Sequence, residues 1–200
     1  MKSAKKCKLA FLAVLSLAML SVDSVLANEY GVIVQLGASK PAATTRWSVD
    51  PLTTGIYSEF TPELGVRGFL MPQAGYLQVR FSAGVSYAKW NNATVSMADA
   101  GADMVLALDG ADVYLGPRFG VLRFSNDHTN SSDNGHLYGL QAGLIIPSES
   151  LPALRGAQLE LFVRHLRTRA KASRQVVGQT HEVELEHLNT LGAGLIWQFR

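Results

Sequence analysis

The 200-residue chain is rich in apolar residues and poor in charge, and these proportions exclude several classes of protein. Hydrophobic residues make up 48% of it and charged residues 17%, against about 25% charged in an ordinary soluble domain. After residue 27, no apolar run approaches the roughly 18 residues that a spanning helix needs. A helical membrane protein is therefore excluded, and the apolar content also argues against disorder. Two classes remain: a membrane β-barrel and an unusually apolar secreted β domain.

Residues 1–27 have the organisation of a cleavable signal peptide. A lysine-rich start precedes an apolar stretch over 9–22, and Val25 and Ala27 occupy the positions that signal peptidase reads. We expect cleavage before Asn28; an uncleaved anchor helix is the alternative. This segment holds four Lys and one Asp, so 14 basic and 15 acidic residues remain after it. With a net charge of −1, no nucleic-acid partner is predicted. Cys7, the only cysteine, also lies in the segment, so neither a disulfide nor a cysteine-based metal site is expected.

Eight segments after residue 28 alternate apolar residues with polar or small ones, which predicts β-strands. In the clearest of them, Leu77, Val79 and Phe81 alternate with Gln78 and Arg80. The predicted strands cover residues 30–38, 59–70, 77–87, 102–108, 113–121, 138–146, 157–164 and 190–199. The even number suits a closed antiparallel barrel.

The polar side of these strands does not have the composition of a water-facing surface. It carries mainly Gly, Ser and Gln with a few charges, whereas a soluble sandwich would present many Lys, Glu and Thr. Eight strands enclose an interior that side chains fill. We therefore predict a packed polar lumen containing Arg80, Arg118, Glu160 and Arg164, in which Glu160 contacts at least one of the arginines.

The opposite side is apolar, as a lipid-facing band must be, and a closed barrel leaves no strand edge unpaired in the membrane. We predict an all-β fold: an eight-stranded antiparallel up-and-down transmembrane β-barrel over residues 28–200, preceded by the signal peptide. A soluble lipocalin-like or sandwich domain is the alternative. Short periplasmic turns are expected at 71–75, 109–112 and 147–156. Longer polar outer loops are expected at 41–58, 90–101, 125–136 and 170–180.

The last strand ends with alternating apolar residues, of which Leu195, Trp197 and Phe199 are the final three. In this pattern and in its strand spacing, the whole of 28–200 resembles the small eight-stranded outer-membrane barrels of the OmpA–OmpX class. The resemblance implies export through the periplasm to a bacterial outer membrane. It also implies that the barrel-assembly machinery reads these three residues. The chain departs from the pattern in one respect, because Arg200 follows the terminal aromatic residue.

Two groups of residues raise the question of chemistry. The predicted loop 125–136 contains Asp127, His128, Asp133 and His136, which are metal-ligand types. A hydrated surface loop needs such residues in any case, so neither a metal nor another cofactor is predicted.

His165 shares the lipid-facing side with Val163, and a hairpin near residue 176 would bring it close to His187. A lipid-facing histidine is similar to that of lipid A deacylase barrels, whose His and Ser lie two residues apart. Here Arg167 stands where the serine would be, so an acyl-enzyme route lacks its nucleophile. We expect no enzymatic activity, and a lipid-modifying barrel is the alternative.

A basic residue follows the apolar part of each ascending strand. These residues are Lys40, Lys89, Arg123 and Arg167, with Arg169 beyond the last. Cations at that height would meet the phosphates of lipopolysaccharide, although snorkelling at a membrane interface also accounts for some of them. The sequence therefore predicts an outer-membrane barrel with a structural, envelope-integrity or surface-interaction role, contacting lipopolysaccharide through a basic rim. An extracellular partner of the surface loops and a narrow pore for small apolar compounds remain open.

Overall fold

A computed structural model describes residues 28–47, 54–55, 59–72, 77–90, 93–127, 129–147, 149, 156–176 and 179–199. The expected signal peptide lies outside these residues. Nine strands are present in the described part: β1 (Asn28–Trp47), β2 (Thr54–Gly55), β3 (Thr61–Pro72), β4 (Leu77–Trp90), β5 (Ala93–Leu108), β6 (Ala111–Asn126), β7 (Ser131–Ile146), β8 (Ala157–Val176) and β9 (Gln179–Phe199).

Among the described residues, no helix has the length and apolar character that crossing a membrane requires.

Eight of the strands form a closed antiparallel ring. Each strand from β3 to β8 pairs with the next along the chain, β1 pairs with β3, and β9 pairs with β1 to close the ring. The two-residue strand β2 attaches to the far part of β1. The predicted all-β fold of eight antiparallel strands is confirmed.

The register of the ring fixes how far its strands tilt. Tracing paired residues once around the barrel from Tyr30 leads back to β1 at Lys40, which is a shear of ten residues. This shear implies a tilt of about 40° and a rise of about 2.5 Å per residue along the barrel axis. A plane perpendicular to the axis therefore shifts by about 1.25 residues from each strand to the next.

Where three of the outer loops were expected, the structure has strand, and the fourth expected loop also begins as strand. Strand β1 continues to Trp47, β5 begins at Ala93, and β7 begins at Ser131. Strands β8 and β9 are separated only by residues 177 and 178. At these three places the prediction of long loops was wrong, because the added strand segments carry polar outward side chains, which resemble loop sequence. Their inward side chains are largely apolar and build a core of their own.

The interior is layered, which corrects the prediction of a polar lumen throughout. An upper apolar cluster, distant from Asn28 and Phe199, includes Trp90, Leu122, Phe124 and Leu137. A lower apolar cluster, at the end of the barrel where β1 begins and β9 ends, includes Ile33, Phe69, Val105 and Ile196. Four arginines and four carboxylates, all buried, occupy the layer between the two. The prediction failed because the inward residues above and below this layer are largely apolar.

Large apolar side chains cover the outer wall in a band that extends from the level of Leu108 to that of Val121. Their exposed fractions include 62% at Leu36, 61% at Phe119 and 61% at Leu191. By the register, the band is about 28 Å tall, close to the roughly 25 Å of an outer-membrane barrel. The outer wall therefore has the dimensions and composition of a lipid-facing surface.

The upper cluster should contribute strongly to stability. Phe124→Ala removes a side chain that is 1% exposed and leaves a cavity, so the free energy of unfolding should fall by about 3–5 kcal/mol. Phe119→Ala on the same strand is the control, because its exposed ring leaves a space that lipid or detergent refills. Urea unfolding in lipid vesicles measures both variants. Equal losses would show that the upper strands lack a packed core.

Candidate functional site: a charged interior and a basic rim

Four arginines and four carboxylates meet in the middle layer of the barrel. Arg67 donates two hydrogen bonds to Asp99, at 2.8 and 3.0 Å. Arg80 binds Asp103 at 3.0 Å and a second carboxylate, Glu160, at 2.9 Å. Arg80 and Asp103 are paired residues of the neighbouring strands β4 and β5. The other two ion pairs, Arg67–Asp99 and Arg80–Glu160, join strands that are not neighbours.

The remaining pairs complete this network. Arg118 donates to both carboxylate oxygens of Asp103, each at 2.7 Å. Arg164 contacts Glu63, which also accepts a hydrogen bond from Thr190 at 3.0 Å. All eight charged side chains are buried, and their formal charges cancel. A buried charge needs such a partner, because leaving it unpaired has a large energetic cost.

Two glycines provide the space in which Arg118 and Asp103 meet. A Cβ at Gly101 would lie 2.7 Å from Arg118 Nη1, and a Cβ at Gly116 would collide with Asp103. Part of the glycine content on the inward side is therefore explained by bulky charged neighbours.

The four residues predicted for the lumen, Arg80, Arg118, Glu160 and Arg164, all lie inside the barrel and belong to this network. Arg67 falls on the same polar side of the sequence pattern but was not named in the predicted network. Sequence reasoning did not assign Glu63, Asp99 and Asp103 to the lumen. The two aspartates were missed because 90–101 was interpreted as a loop and 102–108 as a weak strand. Their spacing, with Gly101 between them at two-residue intervals, was the available signal.

The five predicted rim cations point outward and lie at nearly one level. When the shear is taken into account, they fall within about two residues of one another along the axis, or about 5 Å. This level is immediately above the apolar band. The five are Lys40, Lys89, Arg123, Arg167 and Arg169, and we call them the basic rim.

The charges of the basic rim are not neutralised by other described residues. Arg123 donates to the Ser132 hydroxyl at 3.1 Å, and Lys40 Nζ lies 5.7 Å from the centroid of the Phe60 ring. Neither these two cations nor the other three form an ion pair within the described part of the chain.

Lys171, which lies above the basic rim on β8, shows the contrasting arrangement. Its Nζ lies 3.1 Å from Glu182 and 3.4 Å from Glu184. The hydrogen bond that Lys171 donates to Glu182 and the negative charge of Glu184 raise the pKa of Lys171. The outer strands therefore pair this cation internally, whereas the rim cations are left without acidic partners among the described residues.

A polar pair interrupts the apolar band just below the basic rim. His165 Nδ1 and Asn189 Oδ1 lie 2.6 Å apart, and the ring of His187 is centred 5.7 Å from that of His165. The hairpin does bring the two histidines together. No described hydroxyl or thiol hydrogen-bonds to His165, and Arg167 is two residues further along the strand.

Among the described residues of the expected loop 125–136, Asp127, Asp133 and His136 do not form a metal-ligand group. Asp133 accepts a hydrogen bond from the backbone N–H of Lys171 at 2.9 Å, while Asp127 and His136 are exposed. His128 lies outside the described residues. Within the described part, no three metal-ligating side chains form a group.

The predicted assembly residues lie at the end of β9, beside the start of β1. Trp197 is 38% and Phe199 48% exposed, and Leu195 is half-buried. The ring of Phe199 is centred 5.9 Å from that of Tyr30. These aromatic side chains lie at the lower boundary of the apolar band. The amphipathic rings of Trp and Tyr favour such a membrane–water interface. Arg200 lies outside the described residues.

No family model and no curated protein matches the chain. The fold does match solved structures. The outer membrane protein OprG from Pseudomonas aeruginosa aligns with a TM-score of 0.50 at 12% identity, over 86% of this chain and 97% of OprG. The chain has the fold of a small outer-membrane β-barrel.

Neisserial surface protein A gives a TM-score of 0.48 at 15% identity, over 84% of this chain and 97% of its own. The outer membrane enzyme PagL gives 0.39 at 16% identity, over 80% and 99%. At these identities the likeness concerns fold alone, so it does not bear on activity.

The buried ion pairs predict a sharp difference between two equivalent substitutions. Glu160→Gln leaves Arg80 with less than its full counter-charge and should reduce the free energy of unfolding by roughly 3–5 kcal/mol, or less if Asp103 compensates. Glu186→Gln makes the same chemical change at an exposed position and should have little effect. Equilibrium unfolding in vesicles compares them, and a tolerated Glu160→Gln would contradict the assigned role of the network.

Proposed function

We propose that this protein resides in a bacterial outer membrane and binds the phosphates of lipopolysaccharide through its basic rim. It would thereby support the integrity of the envelope without catalysing a reaction. The proposal depends on one observation above the others: five outward cations share a level directly above a lipid-like apolar band. Snorkelling explains a cation at an individual strand end. It does not require five of them without acidic partners among the described residues.

The chemistry of the rim suits a phosphorylated lipid. Arginine can bind a phosphate through two parallel N–H donors, and such charge-assisted hydrogen bonds are about twice as strong as neutral ones. Three of the five cations are arginines. Phosphate groups in the outer leaflet would lie at the height of the rim when the lower aromatic residues, Tyr30 and Trp197 among them, lie at the periplasmic interface.

The interior argues against the pore alternative. Within the described residues, the apolar clusters lie above and below the charged layer, which leaves the layer without an evident route to solvent. Eight strands generally enclose only enough room for side chains. A passage for ions or small molecules would require both clusters to open.

The enzyme alternative has less support than lipid binding. His165 has an oriented ring but no described nucleophile, and Arg167 occupies the position two residues beyond it.

The strands that continue above the rim are a more suitable place for a second role, the binding of an extracellular partner. Their polar outward side chains offer an extracellular partner a hydrated surface held by a packed core.

Charge reversal at the rim tests the proposal. Arg167→Glu should weaken retention of lipid A by at least about ten-fold, since it removes a charge-assisted contact of roughly 1.5–3 kcal/mol and adds repulsion. Arg174→Glu is the matched control, because Arg174 is exposed on the same strand, roughly 17 Å above Arg167. Lipid retained by purified barrels is measured by mass spectrometry at low and high salt.

The same variants should differ in cells. Cells producing the Arg167→Glu protein should take up a hydrophobic dye faster than those producing Arg174→Glu, at equal amounts of heat-modifiable barrel in the outer membrane. Equal lipid retention and equal dye entry for both variants would overturn the proposed function.

A further inference from the structure

A groove of about 400 Å³ indents the outer wall of the apolar band. Its sides include Leu115, Leu140, Val163 and Leu191. The groove exists because Ala142, whose side chain is short, pairs with Leu115 on one neighbouring strand and with Val163 on the other. A small residue between larger ones leaves a channel that the protein itself does not fill.

The upper end of the groove is polar. His165 and Asn189 line it and are hydrogen-bonded to each other. Elsewhere on the barrel, most outward side chains at this depth are apolar. By the register, the groove extends for about 11 Å along the axis, from His165 down to Leu115. The polar pair lies below the basic rim by one to a few residues, at the depth where the linkages between acyl chains and a headgroup are found.

Two rim cations flank this upper end. In the register, Lys40 pairs with Asn189 and Arg167 pairs with His187, so the cations lie on the two strands that border β9. Phe60 lines the groove, and Lys40 Nζ lies 5.7 Å from the centroid of its ring. Positive charge, a polar pair and an apolar channel therefore follow one another down the same side of the barrel.

We propose that this groove holds one acyl chain of the lipopolysaccharide molecule whose phosphate is bound by Lys40 and Arg167. The inference rests on the proposed function and adds a defined position for the lipid. The order of chemistry in the site matches the order in a phosphorylated glycolipid: phosphate, polar linkage, hydrocarbon. A chain in the groove restricts the lipid to one side of the barrel, which the rim alone does not do.

The experiment fills the groove and removes the cation separately. Barrels are assembled in nanodiscs of phosphatidylcholine and lipid A, released into detergent, and examined by native mass spectrometry for retained lipid A. The variants are Ala142→Phe and Arg167→Gln. Ala83→Phe is the matched control, because Ala83 is an exposed alanine at nearly the same depth on β4, away from the groove. Ala142→Leu serves as a smaller filling if the Phe variant fails to show the heat-modifiable mobility of a folded barrel.

Filling the groove should lower lipid A retention by at least about ten-fold, which corresponds to lost burial of roughly two methylene groups. Ala83→Phe should leave retention unchanged, and Arg167→Gln should lower it. Retention of fully deacylated lipid A should fall with Arg167→Gln and should not change with Ala142→Phe.

The remaining outcomes identify which idea fails. If Ala142→Phe matches Ala83→Phe while Arg167→Gln still lowers retention, the groove inference is wrong and the basic rim stands. Loss with Ala142→Phe but not with Arg167→Gln would mean that the groove accepts chains without selecting a phosphate, which overturns both ideas. Unchanged retention in every variant also overturns both.

Discussion

The structure depends on closure of the sheet by pairing between β1 and β9. Without that pairing, two long strands would expose backbone donors and acceptors to lipid, where no water can satisfy them. Closure with a shear of ten residues sets the tilt and the level of every side chain. It also directs alternate residues to the lumen and to the lipid. Successive residues of each strand must therefore suit two different environments.

The two sides of the strands exchange their chemistry near the level of the basic rim. Below it, the outward side chains are apolar and much of the lumen is charged or polar; above it, the outward side chains are polar and the lumen is largely apolar. The exchange follows from the surroundings, which change from lipid to water at this height. A barrel wall in lipid already has its apolar contact, whereas strands in water need a core of their own, which Trp90 and Phe124 help to supply. The charged layer is thus enclosed between apolar layers.

The buried ion pairs need not add net stability, since removing arginine and carboxylate groups from water is costly. Their contribution is instead to the specificity of strand pairing. Arg80 on β4 binds Glu160 on β8, and Arg164 on β8 binds Glu63 on β3. Such contacts across the lumen are satisfied only when the strands close in one register, because a one-residue slip would turn the charged side chains toward lipid.

Much of this could be predicted from the sequence, because the two-residue alternation is a local signal. It identified eight strands, the inward direction of Arg80 and Arg118, and the basic residue that follows each ascending apolar segment. The extent of the strands could not be predicted, since polar outward residues above the membrane have the composition of loops. The partners of the arginines could not be predicted either, because only the folded barrel brings Asp99 and Asp103 into contact with them. The groove beside Ala142 depends on the sizes of side chains on neighbouring strands, and register is needed to find it.

The central claim is that the basic rim forms one plane at the headgroups of the outer leaflet. Residues 28–200 contain no cysteine, so a nitroxide can be attached to a single cysteine introduced in turn at each of the five rim positions and at Tyr30. Depths are then measured from collisions with oxygen and with a water-soluble nickel complex in lipid vesicles. The account predicts that the five rim labels share one headgroup depth within about 5 Å, with the Tyr30 label at the opposite interface. Rim labels that scatter through the hydrocarbon, or that all behave as freely dissolved in water, would contradict it.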